Sequence, residues 1–189
     1  TIRIDMRDMQ VIHAGGKHIY PGFIVPNSTL GLVEIDAVRA SDDEREIGTM
    51  NPHIRSIIAY NAESKVVESM RPNGVLMGQI TPRGGRISGT SSIVQFDAWN
   101  WEDALIKEND GIHINWPNTF VRGRWGMGGS DDLKPNKSYS KQVEALNQFI
   151  ISAKAHNTKP TSSHLPFEAM KLVIDKSSRL FFHVNDEKG

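Results

Sequence analysis

The sequence contains no cysteine, which excludes disulfide cross-links and thiolate metal sites. It also lacks an excess of either charge: Lys and Arg together number 22, as do Asp and Glu. Phosphate binding needs a cationic surplus or a basic stripe, so this balance excludes nucleic acid as the expected partner. No apolar run reaches the roughly 18–20 residues of a membrane span, and no charged segment followed by an apolar one marks a signal peptide. A membrane partner is therefore not expected. The compartment stays open between cytoplasm and periplasm, because a cysteine-poor protein of either would look the same and the chain starts at Thr1 rather than Met. The 38% of hydrophobic residues are spread along 189 positions, enough for a sizeable core in a soluble chain of one large domain.

Short apolar bursts alternate with helical patterns. Strands are expected over Thr1–Ile12, His18–Val25, Val75–Ile80, Ile93–Phe96, Gly111–Trp116 and Arg179–Val184. Helices are expected over Pro52–Met70, Trp99–Lys107, Ser140–His156 and Pro166–Ile174. In the third of these Val143, Leu146, Phe149, Ile150 and Ala153 recur at three and four, the spacing of one helix face. The Gly-, Ser- and Arg-rich stretch Thr81–Ser92 and the glycine-rich stretch Pro117–Lys137 read as loops. Strands separated by helices point to βαβ units, a parallel sheet and an α/β fold.

Several polar groups sit where chemistry could use them. Asn27 and Thr29 follow an apolar burst, where turn residues are also common. Arg83 and Arg86 lie in a loop whose guanidiniums, hydroxyls and backbone N–H groups suit an anionic group, although the spacing is not that of a phosphate-binding loop. His113 and Asn115 share one face of the strand Gly111–Trp116, opposite Ile112 and Ile114. His183 ends an apolar strand. Asp97, Glu102 and Asp103 are read as helix caps and first-turn charges rather than acids or bases. The remaining histidines show no metal-ligand spacing.

Gly15-Gly16-Lys17-His18-Ile19-Tyr20-Pro21-Gly22-Phe23-Ile24 resembles the stretch by which amidohydrolases leave a small β-sandwich and enter the first strand of a (β/α)8 barrel. Gly31–Ile35, Ile80–Gly85, Ile87–Ser92 and Gln95–Ala104 resemble the imidazolonepropionase-like branch of that superfamily. The resemblance implies a remnant of the β-sandwich over residues 1–20 and the N-terminal part of a TIM-type barrel over 21–189. It also implies hydrolysis of a C–N bond in a cyclic amide or amide-like small-molecule substrate by a water activated on a divalent metal, zinc above all. In the family, two histidines two residues apart on the first strand hold that metal; here those positions carry Asn27 and Thr29. Neither is a good zinc ligand. Only His183, matching the end of the fifth barrel strand, keeps a ligand-type residue. The expected site is thus His183 on metal, with Asn27, Thr29, Arg83 and Arg86 lining the substrate, and no catalytic acid or base identified. A barrel of eight units needs about 250 residues, so the chain reads as a fragment or a half-barrel that associates with itself or with a missing C-terminal half. The alternative reading is a degenerate, metal-free protein that binds a ligand or serves as a scaffold.

Overall fold

The computed structural model describes residues 10, 12–35, 37–122, 133–160 and 162–185. Its centre is a curled, five-stranded mixed sheet ordered β1-β2-β3-β4-β7. The strands are β1 (Phe23–Ser28), β2 (Val75–Ile80), β3 (Ile87–Gln95), β4 (Leu105–Asn115) and β7 (Arg179–His183). β1 runs parallel to β2 and β4 parallel to β7, while β3 is antiparallel to both β2 and β4. β1, β2, β4 and β7 therefore all point the same way, and their C-terminal ends gather along one rim. A second, two-stranded ribbon pairs β5 (Phe120–Arg122) with β6 (Leu133–Pro135).

The α/β class expected from the sequence holds, but the strictly parallel sheet does not. β3 was expected to be mostly loop because Ile87-Ser88-Gly89-Thr90-Ser91-Ser92 lacks apolar alternation. It is instead the central strand, with Ser88, Thr90, Ser91 and Ser92 all buried. Two of these hydroxyls bond to backbone: Thr90 Oγ1 donates to Pro52 O at 2.8 Å and Ser91 Oγ to Gly111 O at 3.2 Å. The crossover helix expected over Trp99–Lys107 shrinks to α2 (Trp101–Ala104), capped by Asn100, and β4 starts at once at Leu105. A connection so short permits only antiparallel pairing.

One face of the sheet carries the core. Ile80 and Val94 pack with Ile57, Tyr60, Val67 and Phe96; Ile87, Ile112 and Ile114 pack with Leu146, Ala153 and Met170. Leu146 and Ala153 come from α3 (Tyr139–Thr158), which matches the expected amphipathic helix closely. The helix expected over Pro166–Ile174 is two short ones, α4 (Leu165–Ala169) and α5 (Lys171–Ile174). Of the long helix expected over Pro52–Met70 only α1 (Lys65–Met70) forms, started by Ser64, whose side chain accepts from the Val67 N–H. Before it, isolated bridges join Arg45 to Arg83, Met50 to Ile87 and Arg55 to Thr90, and Ser56–Ala59 close a single 3-10 turn.

The first strand expected, Thr1–Ile12, lies largely outside the described residues. Residues 12–22 contain a turn at Gly15-Gly16 and no strand. Among the described residues no helix is long and apolar enough to cross a membrane.

Candidate functional site

The face of the sheet away from the helices is polar. On β4, Ile112 and Ile114 turn to the core, so period-two alternation sends Gly111, His113 and Asn115 to the other side. On β7, Phe181 and His183 pair with His113 and Asn115 and share that side. Gly111 matters through what it lacks: a Cβ there would lie 2.3 Å from the Phe181 ring. The missing side chain lets that ring stack on His113, with centroids 4.8 Å apart and planes at 21°.

His113 is buried, at 1% exposure, and links two residues. Its Nε2 lies 2.8 Å from Ser91 Oγ and its Nδ1 lies 2.8 Å from His183 Nε2. Burial pushes the His113 imidazole down to about 3; neighbouring His183 and Arg83 act in the same direction and Asp110 opposes them. His183 is also lowered, by burial first and Arg83 second. Both rings are therefore neutral at neutral pH.

A second hydrogen-bonded line crosses the ends of β1 and β2. Arg83 Nη2 donates to Asn27 O at 2.7 Å and Nη1 to Asn27 Oδ1. Asn27 N–H donates to Gln79 Oε1 at 3.2 Å, and Gln79 Nε2 donates to Asp110 Oδ2 at 2.8 Å. Asn27 holds a left-handed backbone, with φ 50°, which Asn tolerates better than most residues. Asp110 is buried and pairs with Lys107 at 2.7 Å. Burial alone would raise its carboxyl, but hydrogen bonds from Lys107 and Gln79, with the charges of Lys107 and Arg179, together hold it below the usual range.

Arg86 stands on the other flank. Its Nη1 donates to Asn115 O at 2.7 Å, and the Asn115 amide donates to Ser88 Oγ at 2.9 Å and Gly85 O at 3.0 Å. Beside them opens a cavity of about 290 Å³ whose walls include Arg86, Asn115, Trp116, Asn136, Gln142 and His183. A larger one, about 440 Å³, lies at the opposite end of the strands, by Lys65, Arg71 and Trp99.

One solved structure is alike across nearly the whole of this chain: an amidohydrolase from Thermotoga maritima MSB8, with a TM-score of 0.76 and 19% identity, over 96% of this chain and 49% of that one. This chain is similar in fold to about half of an amidohydrolase. At that identity the likeness is one of fold. No family model matches the sequence, and no curated protein does.

Within this amidohydrolase-like fold the residues expected at the site divide into groups. Asn27 and Arg83 meet at the ends of β1 and β2, and the charge of Arg83 is felt at both His113 and His183. Arg86 and His183 share the cavity. Thr29 joins neither group; its carbonyl accepts from Leu32 N–H in the turn after β1. Ser91 entered the sequence reading only among the hydroxyls of the Gly-rich stretch, and Gln79 and Asp110 were not singled out, although a polar residue within an apolar strand, as Gln79 is in β2, was a usable signal.

The residues do not form a ready zinc site. Among the described residues no group of three His, Cys, Asp or Glu could hold a metal ion. The His113 and His183 ring centroids are 5.1 Å apart with planes at 21°, and their nearest nitrogens are 2.8 Å apart. The rings thus point at one another almost along the line of centres. Zinc needs about 2.0–2.1 Å to each nitrogen, so no ion fits between them.

Proposed function

We propose that this protein is an amidohydrolase-like protein whose site takes a small cyclic amide or amide-like ligand, and that the reaction of its kind is hydrolysis of the C–N bond. The observation that carries this is the convergence of His183, Arg86 and Asn115 on one cavity at the C-terminal ends of parallel strands. Active sites of barrel enzymes lie at that end. An amide presents one hydrogen-bond donor and one acceptor. Arg86 keeps guanidinium N–H groups for the carbonyl, and a neutral imidazole can accept from the N–H. Arg83 and Asn27 add a second polar wall. The imidazolonepropionase-like branch, and a TIM-type barrel completed by a second copy or a C-terminal half, belong to the same reading. It rests on the motif around Pro21-Gly22-Phe23-Ile24 and on the chain spanning about half of the amidohydrolase it resembles.

A second reading is favoured by a specific observation. Asn27 and Thr29 stand where the resemblance puts a histidine pair, and no three-ligand group is present among the described residues. On this reading the protein binds its ligand and does not hydrolyse it. Incubation with a panel of cyclic amides and ureides, with and without added zinc, separates the two. Ring opening together with stoichiometric zinc that is lost in His183→Ala supports the hydrolase. Saturable binding without turnover or zinc supports the binding protein, and neither binding nor turnover contradicts both.

A further inference from the structure

The hydrogen-bonded chain Ser91–His113–His183 has a direction, and that direction determines which nitrogen of His183 carries a proton. Ser91 is fully buried and its hydroxyl has one proton. Two acceptors lie within reach: Gly111 O at 3.2 Å and His113 Nε2 at 2.8 Å. A carbonyl can only accept, whereas a ring nitrogen can donate or accept.

If the hydroxyl donates to Gly111 O, then His113 Nε2–H donates to Ser91 Oγ, His113 Nδ1 accepts, and His183 Nε2–H donates to it. Three hydrogen bonds form. If the hydroxyl instead donates to His113 Nε2, then His113 Nδ1–H donates to His183 Nε2. Only two form, and Gly111 O loses its hydroxyl partner. Buried polar groups favour the arrangement that satisfies more of them. A doubly protonated His113 is disfavoured as well, since it would bury a cation.

We infer that His113 is a positioning residue: anchored by Ser91, it holds His183, a residue of the cavity wall, with its proton on Nε2 and leaves His183 Nδ1 as an unprotonated acceptor. The ring stacked against His113, Phe181, which fits only because position 111 is glycine, keeps the His113 plane in register for both bonds. The wall of the cavity then offers an acceptor at His183 and donors at Arg86, a pattern complementary to an amide N–H beside its carbonyl. The inference rests on the proposed reading of the site, but its test does not use activity, so the two can fail separately.

The test is long-range 1H–15N NMR of the histidine rings in the 15N-labelled full chain. The expected spectrum has His183 and His113 each protonated on Nε2, with a 15N–15N coupling through the hydrogen bond between His183 Nε2 and His113 Nδ1. In Ser91→Ala the direction should reverse, because His113 Nε2–H loses its acceptor, and a proton should appear on His183 Nδ1. A proton on His183 Nδ1 in the wild-type protein, absence of the coupling, or tautomers unchanged by Ser91→Ala would overturn it. If the alanine variant does not fold, the wild-type spectrum decides alone. A role confined to packing predicts neither the coupling nor the reversal.

Discussion

Arg83 connects the two halves of the site without touching both. Its hydrogen bonds go to Asn27, yet its charge depresses His113 and His183. Arg83→Met should therefore raise the pH at which both rings titrate, read by NMR; unchanged titration would remove Arg83 from the electrostatics of the site. His113 adds a pH dependence of stability whose sign follows from linkage. Its folded value, about 3, lies below its ordinary 6.5, so the unfolded chain binds the proton more readily. The stability it contributes is complete above pH 6.5 and is lost as pH falls from there toward 3. His113→Gln should flatten that part of the stability–pH profile in urea denaturation. Gly111→Ala puts a methyl against the Phe181 ring, and overpacking of this kind costs about 1–3 kcal/mol, measurable as a lower melting temperature.

At the scale of elements, α3 packs on the sheet through Leu146 and Ala153. Leu146 is fully buried against Ile87, Ile112 and Ile114, so Leu146→Ala should cost about 2–5 kcal/mol in denaturant unfolding. A much smaller loss would mean that α3 does not seat on the sheet as described. This helix was legible in the sequence because its apolar residues follow a single period. β2 and β7 were legible as short apolar strands bounded by turn residues. β3 was not, because its stability comes from pairing on both edges and from hydroxyl-to-backbone bonds, neither of which leaves a hydrophobic pattern. The segment 52–64 misled for the opposite reason: Ile54, Ile57 and Ile58 imitate helical spacing, but Ile57 fills the core from a 3-10 turn over Ser56–Ala59. Of the site, the alternation on β4 showed that His113 and Asn115 share a face. The link from His113 to His183 is a contact between residues 70 positions apart, which no local pattern encodes.

At the scale of the whole molecule, no strand among the described residues pairs with the outer edges of β1 and β7. β1 is mostly exposed, with Phe23 at 68% and Ile24 at 58%, and on β7 Phe182 is at 51%. Unpaired strand edges flanked by exposed apolar side chains drive association. Light scattering should therefore report a dimer or larger species, and Phe23→Lys should shift it toward monomer; a clean wild-type monomer would count against an edge that seeks a partner. The central claim is narrower than the oligomeric state: the cavity at the C-terminal ends of the strands is where an amide-like ligand binds. Titration of the 15N-labelled chain with hydantoin, a cyclic ureide, tests it most directly. The account predicts saturable shifts centred on His183, Arg86 and Asn115. Saturable shifts around Lys65, Arg71 and Trp99 instead, or none at His183, would contradict it.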